Sequence, residues 1–300
     1  MTVGLVAVTL LSMLGQTWWV FDLFCHFRVQ YSIFLAFLLI AFMRCRSGRW
    51  VGITLFTLAL NLSPVAMSYF PLRSPASDDA SSLKVISLNV YSGNSQYQKV
   101  IDSIHHEDPD LFFLFEFTPR WEKQLQILEK KYPYSFNNAQ QGNFGTACFS
   151  KRPFEEAALK ELSKNNQSLF VEIEYEGRTV CLVGAHPYPP GGSSFSKVRN
   201  QQMRQLENHL AEKLIPTIVV GDLNNTPWSS HFQDFLSNTN LIDSRFGFGN
   251  QATWPSYSPS LLRIPIDHCL LSREFVVTNR QVGPQIGSDH LPVIISVVWK

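Results

Sequence analysis

The apolar residues of this chain follow two different patterns. Residues 1–77 form long apolar runs with few charges, which are Asp22, Arg28, Arg44, Arg46, Arg49 and Arg73. After residue 82, short apolar runs alternate with polar segments. Long runs are typical of helices that cross a membrane, and short bounded runs are typical of a globular domain. The pattern therefore predicts a membrane region at 1–70, a linker rich in Pro and Ser at 71–82, and a globular domain at 83–300.

Three apolar runs in the first part suit helices that cross the hydrocarbon core, which needs about 20 mainly apolar residues. The runs are residues 3–21, 29–43 and 50–70, of which the second is the shortest. A cleaved signal peptide is the alternative for the first run, but no basic residue precedes this run and two more apolar runs follow it. We therefore predict an N-terminal bundle of three transmembrane helices.

The arginines of the connectors predict the orientation of these helices. Arg44, Arg46 and Arg49 lie together between the second and third runs, and positive charge in short loops marks the cytoplasmic side. The N-terminus is then cytoplasmic as well, and the globular domain lies on the extracytoplasmic side. The sequence predicts a multi-pass integral membrane protein whose partner is the lipid bilayer, and no protein partner is evident from it.

The globular part alternates predicted strands and helices. Helices are predicted at 96–106, 119–131 and 196–214. Strands are predicted at 83–90, 110–117, 145–153, 168–177, 178–187, 217–224, 265–272 and 290–299. A tight Glu176-Gly177 turn joins two of these strands, so antiparallel pairing accompanies the alternating elements. The predicted class is α/β, as one domain of two packed sheets with outer helices.

Charge argues against one class of function, nonspecific binding of polyanions, and the cysteine content excludes little. Residues 80–300 carry 20 Lys and Arg against 21 Asp and Glu, a net charge of −1 with His neutral. A domain without an overall basic field is a poor nonspecific binder of polyanions, although a local basic cleft stays open. None of the five cysteines forms a CxxC pair, and we interpret them mainly as small buried side chains.

Polar side chains at the ends of apolar strands are the candidates for chemistry, because a buried carboxylate is costly unless it is paired or binds a metal. Glu116 follows five apolar residues, and the carboxylate suits Mg²⁺ or Mn²⁺. An exposed edge-strand glutamate is the alternative for this residue. Asp222 and Asn224 flank Leu223, which puts both on one face of a strand; an Asx turn that ends the strand is the alternative.

An imidazole and two carboxylates form a second candidate group. Asp289 and His290 are adjacent before the last strand, and Asp267 begins an earlier one. A carboxylate that holds an imidazole in one tautomer is a common catalytic device, so Asp267 is assigned to His290. An Asp-His pair is otherwise a common turn sequence. Asn89 and His186 also close apolar strands and join the candidates.

Taken in order, these segments resemble the endonuclease/exonuclease/phosphatase superfamily over essentially all of residues 83–299. The resemblance rests on the series rather than on one motif. The series is SLNV with Asn89, FEFTPRW with Glu116, GTACFSKRPF, GAHP with His186, the helix with Arg199 and Gln202, GDLN, TWP, IDHCLLS and GSDHLPV. The resemblance implies a four-layer α/β sandwich with two central mixed sheets and an active site at the strand ends.

The resemblance also implies roles for these residues. Glu116, Asn89 and Asp289 would bind Mg²⁺, with Mn²⁺ as an alternative. The substrate would contact Asn89, Asn224, His186 and Arg199. Asp222 would orient or deprotonate the attacking water, Asn224 would hold that water or a phosphate oxygen, and His186 and His290, the latter steered by Asp267, would stabilise the phosphoryl oxygens.

The function implied is metal-dependent hydrolysis of a phosphoester at the membrane surface. The substrate would be a lipid headgroup, a small phosphoester or a nucleic acid. Tyr91 stands where some apurinic endonucleases have an acidic residue, which argues against DNA repair. The alternatives are a membrane-anchored endonuclease acting on DNA or RNA and a noncatalytic sensor that retains the fold.

The predicted orientation is testable with reporters fused after Ser82. Alkaline phosphatase, which folds only outside the cytoplasm, should be active at this point. The arginine-rich connector is predicted to be cytoplasmic, so the chain after the third helix should lie on the opposite side of the membrane. A green fluorescent protein fused at the same residue is the matched control and should be dark. Bright fluorescence with inactive phosphatase would reverse the orientation.

Overall fold

The computed structural model describes residues 1–71 and 82–300, so the predicted linker at 71–82 lies almost wholly outside the described residues. The first part holds four helices: α1 (Thr2–Ser12), α2 (Trp19–Cys25), α3 (Arg28–Arg44) and α4 (Gly48–Met67). The second and third predicted helices thus correspond to α3 and α4. These two helices pack side by side as a hairpin.

The prediction of one continuous helix at 3–21 is wrong. The chain turns after Ser12, and α1 spans only about 16 Å at 1.5 Å per residue, against about 30 Å of hydrocarbon core. The turn brings Gly15 so close to Asp22 that an added Cβ would lie 3.2 Å from the Asp22 Cα atom. Apolar periodicity did not reveal this turn, because the residues on both sides of it are equally apolar.

Among the described residues, only α4 is by itself long and apolar enough to cross a membrane. Helices α2 and α3 meet at a bend of 64° and pass the same test only if they are taken together as one broken span. The predicted bundle of three transmembrane helices is therefore not supported.

The second part contains two six-stranded sheets. The first sheet has the order β11-β12-β1-β2-β4-β3 and the second has the order β5-β6-β7-β8-β10-β9. The strands of the first sheet are β1 (Leu83–Asn89), β2 (Leu111–Phe115), β3 (Tyr134–Asn138), β4 (Thr146–Ser150), β11 (Phe275–Val282) and β12 (Val293–Trp299). Those of the second are β5 (Glu156–Ser163), β6 (Asn166–Tyr175), β7 (Arg178–Gly184), β8 (Thr217–Asp222), β9 (Ile242–Asp243) and β10 (Asp267–Leu271).

Helices cover the outer face of each sheet and complete four layers. Two helices, α5 (Tyr97–Glu107) and α6 (Pro119–Leu125), pack on the first sheet, and α7 (Ser193–Ala211) and α8 (Ser230–Thr239) pack on the second. Thr118 caps α6 and Pro119 opens it, but the helix is shorter than the predicted 119–131 and continues as a 3-10 turn at Gln126–Leu128. The predicted α/β sandwich with two mixed sheets is confirmed.

Alternation along the strands builds the core. In β1, Leu83 and Val85 face the second sheet, whereas Ile86 and Leu88 face the helices α5 and α6. Both faces of the strand are buried, which explains its almost uninterrupted apolar sequence.

The N-terminal helices contact the sandwich at one end of the α3–α4 hairpin. The Ser68 carbonyl, just beyond α4, accepts hydrogen bonds from the backbone N–H groups of Gly247 and Gly249. Near the start of α3, the Gln30 amide donates to the Leu261 carbonyl at 3.0 Å. This end of the hairpin lies opposite the connector that carries Arg46.

Candidate active site

The ends of β1 and β2 bring Asn89 and Glu116 together. The two strands are parallel neighbours in the middle of the sheet, so their carboxyl ends meet at one edge. The Asn89 amide donates to Glu116 Oε1 at 3.2 Å, and the backbone N–H of Ser92 donates to Oε2 at 2.9 Å. Glu116 is buried and follows a central strand, so the exposed edge-strand alternative is wrong.

The ends of β7, β8 and β10 in the second sheet bring a second group of side chains to the same place. Asp222 lies opposite Asp267 in the antiparallel pair of β8 and β10. Asp222 Oδ2 lies 3.4 Å from His186 Nε2, 3.5 Å from His290 Nε2 and 3.3 Å from the Asn89 amide nitrogen. Asp222 thus joins residues from both sheets, and all five of these side chains are buried.

Close packing of backbone behind Asp222 requires a glycine. Gly221 has a φ of +146°, and an added Cβ would lie 1.9 Å from the Ala185 carbonyl oxygen. This contact brings His186, the residue after Ala185, towards Asp222. Gly221 is therefore a point of close approach between the backbones of β8 and the residues after β7.

The predicted pairing of Asp267 with His290 is present. His290 Nδ1 lies 2.9 Å from Asp267 Oδ2, and that oxygen also accepts a hydrogen bond of 2.5 Å from the Thr253 hydroxyl. The remaining ring nitrogen of His290 therefore faces Asp222. Thr253 lies in the TWP segment, and nothing in its local sequence indicated this contact.

These contacts decide the charges of the site. Burial alone would lower the pKa of His290, but the neighbouring Asp267 and Asp222 carboxylates raise it to about 10. Burial alone would raise the pKa of Asp222, but His290 and His186 hold it below its ordinary value. The site therefore pairs an ionised Asp222 with a protonated His290, and a protonated imidazole can donate to a phosphoryl oxygen.

Asn224 lies beside the site but not on strand β8 as predicted. Its backbone is left-handed, with a φ of 49°, and its N–H donates to Asp222 Oδ1 at 2.9 Å. The Asx-type turn weighed as an alternative is thus present. The Asn224 amide donates to the Pro187 carbonyl at 2.9 Å, next to His186, so the turn keeps the side chain near the catalytic candidates.

One of the two carboxylate oxygens of Asp289 has no hydrogen-bond partner in the described part of the chain and could bind a metal. The Trp254 indole donates to Asp289 Oδ2 at 3.2 Å, and Oδ1 is buried without a hydrogen-bond partner among the described residues. Its neighbour Ser288 donates from its hydroxyl to the Asn89 carbonyl at 2.7 Å, which ties this loop to β1. No described contact joins Asp289 directly to Glu116.

The prediction that Arg199 binds substrate is wrong. Arg199 is fully buried, and its guanidinium lies 2.6 Å from Asp22 Oδ2 of helix α2. The sequence analysis could not foresee this partner, because Asp22 lies 177 residues away in a segment predicted to be membrane. A buried guanidinium paired with a carboxylate of the same protein is not available to a substrate.

Three aromatic side chains near His186 were missed by the sequence analysis. The Phe144 ring stacks on Tyr188 at 4.3 Å, and Tyr188 stacks on the half-exposed Phe195 at 5.8 Å. Phe144 also contacts the His186 ring, with centroids 5.8 Å apart. The sequence feature that marks this surface is the segment PYPPGGSSF directly after His186, which is rich in Pro and Gly.

The donor set fits a hard divalent cation. Within residues 1–71 and 82–300, the hydrogen-bond partners of Glu116 are an amide and a backbone N–H rather than a Lys or Arg. A buried carboxylate without a Lys or Arg partner among these residues and the orphaned oxygen of Asp289 are what an Mg²⁺ ion would satisfy. Asp222, Asp267 and His290 also place one ligand atom each within 4.8 Å of one another, although hydrogen bonding already explains that group.

Comparisons with known proteins define the class. The family model described as Endonuclease/Exonuclease/phosphatase family matches residues 86–290, more than half of the chain. The chain belongs to this family, whose members are in general phosphoesterases and nucleases, typically dependent on Mg²⁺. The search of curated protein sequences gives no match.

Solved structures share the fold. D. rerio TDP2 humanised by 14 mutations is 18% identical, with a TM-score of 0.60, and the match covers 72% of this chain and 98% of that one. The endonuclease/exonuclease/phosphatase protein of Beutenbergia cavernae is 18% identical, with a TM-score of 0.59, over 73% of this chain and 72% of that one. The beta toxin of Staphylococcus aureus, in a mutant structure with bound magnesium ions, is 20% identical, with a TM-score of 0.56, over 73% of this chain and all of that one.

The contact between Asp267 and His290 generates a test of their joint action. Asp267→Ala and His290→Ala should each lower kcat about 10²-fold or more, and the double variant should lose little beyond the worse single one, because groups that act as a unit are not additive. The measurement is kcat for the four members of the cycle. His105→Ala, on the exposed face of α5, is the control and should keep wild-type kcat. Losses that multiply would show that the two residues act independently.

Proposed function

We propose that this protein hydrolyses a phosphoester with a metal-activated water at the membrane surface. The observation that carries the proposal is the convergence of Asn89, His186 and His290, from two different sheets, on the single buried carboxylate of Asp222. Burying several ionisable groups together is costly even when they are paired, and such clusters concentrate at functional sites. A noncatalytic sensor would not need to keep all of these groups.

The residues divide the chemistry between them. Glu116, Asn89 and Asp289 would hold Mg²⁺, with Mn²⁺ as the alternative, and the bound ion would neutralise charge on the phosphoryl oxygen and make water a better nucleophile. Asp222 orients or deprotonates the attacking water. The protonated His290 and His186 donate to the phosphoryl oxygens as charge develops on them. Water is a sufficient nucleophile, and no covalent intermediate is needed.

The surfaces of α3 and α4 support membrane insertion. Apolar side chains such as Phe37 and Phe56 point outward, with Phe37 68% exposed, whereas the polar Thr57 and Asn61 are buried between the helices. The Asn61 amide of α4 donates to the Thr9 hydroxyl of α1 at 2.9 Å. Soluble helices bury apolar residues and expose polar ones, so this reversed arrangement fits lipid better than water.

The position of the site supports a membrane-linked substrate. Tyr257, Leu261 and Leu262 are exposed on the loop that contacts the start of α3. Trp254 and Ser256, at the base of the same loop, hydrogen-bond to Asp289. An apolar loop at the hairpin end and next to the site would place the site at the level of lipid headgroups.

We expect metal removal to abolish turnover. EDTA should reduce hydrolysis to background, and Mg²⁺ should restore it, because Glu116 and Asp289 supply oxygen ligands that need their cation. Glu116→Gln and Asp289→Asn should each lower kcat by about 10²-fold or more. The measurement is the initial rate on a phosphoester panel in detergent micelles with Mg²⁺, Mn²⁺ or chelator.

The matched control for this series is Glu122→Gln on the exposed surface of α6, which should keep the wild-type rate. Turnover that continues undiminished in EDTA would end the metal proposal. Full activity of Glu116→Gln would place the ion elsewhere.

The substrate test compares a phosphodiester lipid, soluble phosphoesters and supercoiled plasmid from about 50 to 200 mM salt. We expect the lipid or a small phosphoester to be cleaved faster than plasmid, with shallow salt dependence, because a domain of net charge −1 neutralises few phosphates. Rapid plasmid nicking that salt suppresses steeply would favour the membrane-anchored endonuclease instead. Cleavage rates are also compared between liposomes and the same lipid dispersed in detergent. Faster cleavage in liposomes would indicate a requirement for a membrane surface, and equal rates would indicate recognition of the headgroup alone.

A further inference from the structure

A buried ion pair joins the N-terminal helices to the catalytic domain. Arg199 on α7 is fully buried, and Asp22 on α2 is 2% exposed. Arg199 Nη2 lies 2.6 Å from Asp22 Oδ2, and the Ser229 hydroxyl donates to Asp22 Oδ1 at 2.6 Å. Both oxygens of this carboxylate are therefore satisfied by residues of the catalytic domain. Asp22 is the one acidic residue in the first 77 residues.

The same guanidinium reaches the active site. Arg199 Nη1 donates to the Asn224 carbonyl at 3.3 Å, and Nε and Nη2 donate to the Asn200 side-chain oxygen. The fork of one arginine thus contacts the N-terminal helices, its own helix and the catalytic loop after β8. A lysine has no planar fork with which to reproduce these contacts.

The loop at residues 223–229 lies between the two parts of the protein. On one side, the His26 ring lies 2.8 Å from the Thr226 hydroxyl, and Ser229 bonds to Asp22. On the other side, Asn224 holds Asp222 through its backbone N–H and the Pro187 carbonyl through its amide. Asn224 has a left-handed backbone, a conformation that asparagine adopts more readily than most residues, and the contacts with Asp222, Pro187 and Arg199 fix it here.

We propose that Asp22 is a positioning residue for the active site: it fixes Arg199, and Arg199 fixes the backbone of Asn224. Because Asp22 belongs to α2, the catalytic loop takes its working geometry only when the N-terminal helices are docked on the sandwich. The helices thereby complete the site and do more than attach it to the bilayer. This inference rests on the proposed hydrolase function for its kinetic test, and on the loop geometry alone for its second test.

The kinetic test is a cycle of Asp22→Asn and Asn224→Ala in the full-length protein in detergent with Mg²⁺. Asp22→Asn should lower kcat about 10-fold and leave KM within about 2-fold, because a displaced catalytic loop impairs the reacting geometry more than substrate capture. In the Asn224→Ala background, the same change should lower kcat by less than about 2-fold. A role in stability alone would reduce kcat by the same factor in both backgrounds, and that result would overturn the proposal.

Two further variants serve as controls for this cycle. Gln16→Ala removes the exposed 2.8 Å hydrogen bond to Asp234, which joins the same two parts without reaching Asn224, and it should keep wild-type kcat. Ser229→Ala removes one hydrogen bond from Asp22 but leaves the Asp22 carboxylate charged. This variant should lower kcat by a smaller factor than Asp22→Asn does. An effect of Gln16→Ala as large as that of Asp22→Asn would show that docking in general, rather than the Asp22–Arg199 pair, controls the site.

The second test needs no turnover. Hydrogen exchange of the peptide that covers residues 223–229, read by mass spectrometry on the full-length protein, should be faster in Asp22→Asn than in wild type or Gln16→Ala. Unchanged exchange would overturn the positioning role whatever the enzyme does. If the wild type hydrolyses no phosphoester but the exchange still rises, the proposed function fails and the coupling between the helices and the loop stands.

Discussion

The buried carboxylate of Asp222 is the constraint on which the site depends. It lies at the end of β8 where the two sheets meet, and it would be strongly unfavourable there without hydrogen-bond donors. Asn89 from the first sheet and His186 and His290 from the loops that adjoin both sheets supply these donors. The two sheets must therefore pack in one register for the carboxylate to be satisfied. The hydrogen bonds that organise the site therefore form only when the two sheets of the sandwich are correctly packed.

A second buried carboxylate, Asp22, plays the corresponding part for the N-terminal helices. Its partners are Arg199 and Ser229 in the catalytic domain, so the helices and the sandwich share a polar contact with no water between the charged atoms. Breaking a buried pair of this kind by removing one partner typically costs about 3–5 kcal/mol. Such a contact is typical of a fixed docking geometry rather than of a flexible tether. It also contacts the loop at residues 223–229, through Asn224 and Ser229.

Membership of the endonuclease/exonuclease/phosphatase family explains the shared core but leaves the substrate to this chain's own surfaces. The features that bear on the substrate are local: the stacked Phe144, Tyr188 and Phe195 beside His186, and the exposed apolar loop with Leu261 near α3. Neither feature contributes a hydrogen bond to Asp222, although Phe144 contacts the His186 ring. Under the proposed function, the residues around Asp222 would carry the chemistry and these two surfaces would bear on substrate choice, a division that is common when one fold serves many functions.

The sequence by itself determined the α/β class, the positions of most strands and the polar residues at their ends, because apolar periodicity and a buried charge are local signals. Glu116 was identifiable in this way from its five apolar predecessors alone. Tertiary structure decided the rest. The burial of Arg199 depends on its ion pair with Asp22, which lies 177 residues earlier in the chain, and no local sequence pattern indicates so distant a partner. The turn at Asn224 combines local and tertiary contacts: its hydrogen bond to Asp222 is local and was an alternative in the sequence, whereas its contact with Pro187 exists only once β7 and β8 have paired.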